Sequence, residues 1–166
     1  AFTEAGYAVE IRSPKGGALQ ADGFSDPEDA SGYSAHDILS LGFKKSPAHM
    51  ALLQDTKGLD GVSPAAYDAV FVAGGQSPRG ADGDLLVRGR TWTGFANSEE
   101  QYADDFVGQR IQPFWIEDEA RTIAGTNFVV DQRFREFAVR DGRLITGQQQ
   151  FSGAAAARLV IEALGR

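Results

Sequence analysis

Attack on a substrate needs a nucleophile, and this chain of 166 residues contains no cysteine. Thiolate attack, thiolate zinc sites and disulfides are therefore excluded for these residues. A Ser, Thr or Lys nucleophile would need a base within hydrogen-bond reach. Ser77 follows an apolar run and two glycines, as a nucleophile elbow would. However, Gly75-Gln76-Ser77-Pro78-Arg79 lacks the second glycine of G-x-S-x-G. Pro78 has no N–H to help hold an oxyanion, so a turn serine is the better reading. His36 and His49 lie on different segments without metal-ligand spacing, and loop or surface positions suit them. Glu99-Glu100 and Glu117-Asp118-Glu119 fit helix N-termini, where the dipole favours acids. Asp104-Asp105 occupy adjacent helix positions and do not face one pocket. Solvated faces or caps are the expectation for all of these acids. Gly16-Gly17 and Gly74-Gly75 match neither a phosphate loop nor a dinucleotide fingerprint. The reading leaves a pocket edge without a catalytic set, and neither a metal nor a cofactor is expected.

Composition narrows the class further. Hydrophobic residues make up 42% and charged residues 23%, an ordinary globular balance. With 23 acidic against 16 basic residues the formal charge is -7, which disfavours a phosphate backbone as partner. No apolar stretch approaches the ~20 residues of a membrane helix, and no signal-peptide pattern opens the chain. Ala1 is not an initiator Met, which points to a gene start upstream. The expectation is one cytoplasmic domain spanning residues 1–166.

Several elements must position any site. Ala1 to Gly6 reads as a helix end, and Tyr7 to Ile11 alternates as a half-buried strand. Residues 15–32 read as a long loop. Ser46-Pro47 starts a helix. The near-continuous apolar run Tyr67 to Val72 predicts a parallel strand buried on both faces, and Gly74-Gly75 would sit at its ligand-bearing carboxyl edge. Leu85 to Val87 and Arg90 to Phe95 predict a hairpin or bent strand pair about Gly89. Ser98 with Gln101 predicts a capping box, and Pro113 opens a further short helix. Asp141-Gly142 signals a two-residue hairpin turn. Ser152 caps a last helix whose Ala156, Leu159, Val160, Ala163 and Leu164 form one stripe. The pattern is mixed α/β.

Five ordered segments together resemble the ThiJ/PfpI superfamily. They are Glu4 to Gly17, Tyr67 to Gly75, Thr93 to Glu100, Pro113 to Asp118 and Leu144 to Gln150. The nearest branch is the heat-shock chaperone and glyoxalase III-like proteins, often described as class I glutamine amidotransferase-like. The resemblance implies a flavodoxin-like α/β sheet flanked by helices. It also implies a homodimeric, stress-related protein and action on small reactive carbonyls or amides through a Cys nucleophile. Gly74, Gly75 and Gln76 become oxyanion or pocket candidates, and Glu99, Glu100 and Phe114 pocket-lining candidates. Gln76 stands where the family usually carries a histidine.

The family's first strand, and the strand and elbow bearing its Cys-His pair, have no matching segments. Ser77 to Ala81 runs straight into Asp82 to Val87. The family's glutamate, cysteine and histidine therefore have no counterparts, and one or two central strands are missing from the expected sheet. A longer polypeptide, a truncated variant re-paired across a dimer, and one portion of a split protein all accommodate this. The unaltered flanking segments favour the first. On these residues alone the expectation is a catalytically silent chain. The alternative is a chaperone-like or small-molecule-binding protein of the same fold, with Phe106, Phe114 and Trp115 contributing an apolar face.

Overall fold

The computed structural model describes residues 1–74 and 84–165. The chain divides into two compact units, Ala8–Tyr67 and the combination of Ala1–Tyr7 with Asp68–Arg166.

The Ala8–Tyr67 unit is built on a small antiparallel ladder, β1 (Lys15–Gly17) against β2 (Thr56–Gly58). Gly16 has a φ of +75°, and a Cβ there would lie 2.9 Å from the Thr56 carbonyl oxygen. The ladder closes over two hydroxyls: Ser13 and Thr56 Oγ atoms are 2.8 Å apart, and Thr56 Oγ1 donates to the Gly17 carbonyl at 2.7 Å. Helix α1 (Ile38–Lys45) starts where the Asp37 carboxylate accepts from the Leu39 and Ser40 amides. Its last turn carries Lys44 and Lys45, which reach back to Asp26 and Glu28 of the preceding loop at 2.6 Å each. Helix α2 (Pro47–Ala51) follows, with Ser46 as its N-cap and Pro at its first position, as the sequence predicts.

Among the described residues, the side chains buried in this unit are Ser13 and Thr56, and no aliphatic one joins them. Ile38 and Leu39 are 77% and 81% exposed. Tyr7 to Ile11 does not form the predicted strand. Among the described residues, its neighbour Arg12 makes one isolated bridge to Lys57. The expected loop over residues 15–32 holds, apart from the three residues taken into β1. Near the ladder, Glu10 accepts from Tyr67 and pairs with Lys57, both at 2.7 Å. The Lys57 ammonium, followed by the Tyr67 hydroxyl, holds the Glu10 carboxyl down at about 2. That contribution to stability is present above the ordinary carboxylate value and is lost as pH falls toward 2.

In the second unit, the Tyr7 and Gly6 amides close a helical turn on the Phe2 and Thr3 carbonyls, the helix end read from the sequence. Strand β3 (Thr91–Trp92) pairs in parallel with β4 (Asn127–Phe128). The predicted partner of Arg90 to Phe95 was the preceding Leu85 to Val87. That segment instead enters a turn, and Gly89 N–H donates to the Gly125 carbonyl. Parallel pairing needs a crossover, and the intervening chain supplies α3 (Asn97–Val107) and α4 (Ile116–Thr122).

Strands β5 (Ala138–Asp141) and β6 (Leu144–Gly147) form the hairpin that Asp141-Gly142 predicts, with Asp141 opposite Leu144 and Gly142 at φ +59°. Asp141 also ties the hairpin to β3 by accepting from the Thr91 amide at 2.7 Å. Helix α5 (Gly153–Ala163) packs on the hairpin through Ala156 and Ala157. The predicted stripe is shifted toward Ala157, while Ala163 is exposed. Val87, Ala96, Ala120 and Phe128 complete the buried apolar set, with Phe128 edge-on to Trp92 at 4.7 Å.

The observed class is mixed α/β with three two-stranded sheets among the described residues. Among them too, no helix is long and apolar enough to cross a membrane. Among the described residues the stretch predicted as a strand over Tyr67 to Val72 pairs with no other, and Val70, Phe71 and Val72 are 67%, 52% and 70% exposed. Its apolar pattern suits burial on two faces, whereas the ring contact from Phe2 to Phe71, edge-on at 6.0 Å, meets it on one side.

Candidate functional site

The N-cap of helix α3 lies two residues before the predicted one. Ser98 is not the cap. The chain enters the helix at Ala96, and Glu99 turns back so that its Oε2 accepts the Ala96 amide at 2.9 Å. The other oxygen, Oε1, accepts the Phe134 amide at 2.8 Å and the Gln148 side-chain amide at 2.9 Å. Glu99 is fully buried and Gln148 is 2% exposed. Gln148 in turn accepts the Asp131 amide at 2.7 Å. One carboxylate therefore fastens the start of α3, the Asp131–Phe134 loop and the end of β6. Phe134, a non-glycine residue at φ +59°, is held in the left-handed region by that hydrogen bond.

Three further acids of α3 and α4 act in the same way. Glu100 accepts the Ile116 amide at 3.2 Å. Asp104 accepts the Ile111 amide at 2.8 Å and the Trp115 indole N–H at 3.1 Å. Glu117 accepts the Asn97 amide at 2.7 Å and the Arg121 guanidinium. Of the two expectations for these acids, solvated faces or caps, the first fails for Glu99, Glu100, Asp104 and Glu117, all buried, and holds for Asp105, Asp118 and Glu119, while Glu99 meets the second by accepting the N-cap amide of α3. The irregular segments around α3 and α4 carry amides that need acceptors, and acids on these two short helices provide them. Thr93 Oγ1 and Asn97 Oδ1, at the approach to α3, are buried without a hydrogen-bond partner.

Burial pushes the Glu100 carboxyl above the ordinary carboxylate range; the Ile116 amide opposes this and the nearby Asp104 adds to it. A raised folded value means the group favours folding below its unfolded pKa and loses that benefit as pH rises through the folded one. Glu100→Gln keeps an acceptor for Ile116 and removes the charge. The variant is expected to melt higher than the parent at pH 7, with the difference vanishing near pH 4, as scanning calorimetry at both pH values would read. A lower melting temperature at pH 7 would show that the ionised form is the stabilising one.

Gly74 has φ +79° and open space where a Cβ would sit. Gly75, Gln76 and Ser77 lie outside the described residues. Glu99 and Glu100 are engaged as described, and Phe114 is half-buried just before α4, which begins three residues after the predicted Pro113. A shallow groove of about 340 Å³ at the end of α3 is lined by Asp104, Asp105, Gly108, Gln109 and Arg110. None of Gly74, Glu99, Glu100 or Phe114 lines it.

His49 Nδ1 lies 2.8 Å from Ser46 Oγ, but that oxygen also caps α2 by accepting the His49 amide, and His36 is exposed. The pair is a local helix cap. Among the described residues no group of three or more His, Asp or Glu side chains is placed to hold a metal ion. The sequence reading missed Phe134 and Gln148; their partners lie 35 and 49 positions away along the chain. Only the Glu99 reach-back leaves a local signal, an acid at the third position of a helix.

No family model matches the chain, and no curated protein does. Solved structures share its fold, among them the following two. The protein APC35852 is 27% identical, with a TM-score of 0.70 over 98% of this chain and 83% of its own. The Rapid Encystment Protein 24 KDa of Francisella tularensis is 19% identical, with a TM-score of 0.70 over 95% of this chain and 81% of its own.

Proposed function

We propose that the chain is a ThiJ/PfpI-like, stress-related protein whose own residues form a catalytically silent scaffold. The single observation that carries this reading is the use made of the acids in the resembling segments. Glu99 and Glu100 of Thr93–Glu100, Glu117 of Pro113–Asp118 and Gln148 of Leu144–Gln150 each accept a backbone amide of the fold. A general base needs a free lone pair at a substrate, and these face backbone amides. The segments that carry the resemblance thus support a shared scaffold, with the flavodoxin-like sheet as the parent architecture. The absence of cysteine removes the family's nucleophile from this chain.

Methylglyoxal is the test substrate. A preparation whose intact mass matches the 17.8 kDa chain is expected to consume it no faster than buffer does. Turnover by that verified chain overturns the reading.

A second reading, a chaperone-like surface, is favoured by the aromatic face of α3. Tyr102 is 41% exposed and Phe151 51%, and both meet Phe134 edge-on, at 5.2 and 6.2 Å. Phe106 is 49% exposed on the same helix. Half-buried Phe114 and Trp115 contribute less of this surface than the sequence suggests.

A further inference from the structure

Arg133 is exposed, and among the described residues none of its guanidinium N–H groups has an acceptor. It is nonetheless held in place. Its guanidinium carbon stands 4.9 Å from the centre of the Tyr102 ring and 5.8 Å from that of Phe134. Stacking occupies a face of the guanidinium plane and leaves the donors along its rim, the edge that grips a carboxylate by two parallel hydrogen bonds. The rings continue as one cluster, for Phe134 meets both Tyr102 and Phe151 edge-on, and these two are exposed. A free guanidinium edge thus borders an accessible aromatic surface.

The arrangement is fixed from behind. The Glu99 carboxylate keeps Phe134 at φ +59°, and Gln148 accepts the Asp131 amide of the same loop. Both anchoring side chains are buried. A non-glycine residue in the left-handed region persists only where its surroundings over-determine it, and such residues cluster at ligand sites. These are contacts the chain makes rather than cover it lacks. A further segment laid over Arg133 would bury an unpaired charge, which is costly without an acid to meet it.

Charge and size select the occupant. Arg133 repels a cation, while Asp131 two residues away and the net charge of -7 disfavour a dianion. A carboxylate that carries an apolar group suits both halves: the acid takes the guanidinium edge and the apolar part covers the exposed rings. Ring centres 5.2 and 6.2 Å apart span a ligand of about one ring, so the occupant is a small acid rather than a peptide.

We infer that Arg133, Tyr102, Phe134 and Phe151 form a binding site for a small apolar monocarboxylic acid. The site uses the aromatic face of the chaperone-like reading and rests on that face being accessible.

Titration of the isotope-labelled chain with hydrocinnamate, followed by magnetic resonance, is expected to give saturable shifts at the Arg133 Nε–H and the Phe134 amide. The neutral hydrocinnamamide should bind about tenfold more weakly, the worth of a charge-assisted hydrogen bond. Arg133→Gln is expected to lower the affinity for hydrocinnamate by about the same factor. Its circular dichroism should not change, because the side chain is exposed. Arg133→Lys keeps the charge and loses the planar fork, and should fall between the two. The absence of a saturable shift overturns the proposal, as does equal affinity for acid and amide or an Arg133→Gln chain that binds as the parent does. Tighter binding of a peptide with a C-terminal Phe would overturn it too, in favour of polypeptide ends. A chain that suppresses aggregation of an unfolded protein yet shows no shift sinks the site alone and leaves the chaperone-like reading standing.

Discussion

Replacing Glu99 with Ala is expected to destabilise the Asp68–Arg166 unit by about 3–5 kcal/mol. The Ala96 and Phe134 amides and the Gln148 side-chain amide would all lose their acceptor, and the site is fully buried. Each stranded buried donor costs about 1–3 kcal/mol, partly relieved where water enters the space left behind. Phe134 would also lose the bond that keeps it at φ +59°, and relaxation toward negative φ would pull its ring from Tyr102. Glu99→Gln separates charge from geometry. Its carbonyl can still serve Phe134 and Gln148, but its NH2 would confront the Ala96 amide, so a smaller loss of about 1–3 kcal/mol is expected. Urea unfolding followed at Trp92 and Trp115 measures both variants, and amide exchange at Phe134 locates the damage. A Glu99→Ala chain within about 0.5 kcal/mol of the parent, the range of ordinary surface changes, would show that the network carries no stability.

Gly16→Ala is the second large effect, placed in the other unit. A left-handed φ of +75° costs a residue with a Cβ about 1–2 kcal/mol. That Cβ would also stand 2.9 Å from the Thr56 carbonyl and 3.0 Å from the Gly58 nitrogen, backbone atoms that cannot swing aside. A further 1–3 kcal/mol, roughly, follows from overpacking. The sum, about 2–5 kcal/mol, falls on a unit with no buried aliphatic residue to absorb it. Loss of protection at the Ser13 amide, which donates to the Lys57 carbonyl, should accompany the change while amides of β5 and β6 stay protected. Unaltered exchange at Ser13 would rule the clash out.

What could be read in advance divides along a physical line. Ser46-Pro47 and Asp141-Gly142 are local signals, each acting within four residues, and both produced the expected elements. The acids at Glu99, Glu100, Asp104 and Glu117 look like ordinary helix-start residues, and their burial depends on amides that arrive from distant loops. Nothing in a window of α3 announces Phe134 or Gln148. Strand expectations at Tyr7 to Ile11 and Tyr67 to Val72 failed for the complementary reason. Alternation and apolarity describe what a strand wants on its faces, whereas pairing depends on neighbours that these patterns do not specify. The pocket candidates divide in the same way: Gly74 has the backbone conformation of a loop glycine, while Glu99 and Glu100 serve the fold.

The span of the Glu99 contacts bears on the order of events during synthesis. A nascent chain leaves the ribosome N-terminus first, so α3 emerges well before its remote partners. At that stage Glu99 can satisfy only the Ala96 amide, its neighbour three positions back. Its second oxygen stays hydrated until Phe134 and then Gln148 have followed. The carboxylate therefore acts as a late latch, one that can close only after translation has passed the β5–β6 hairpin.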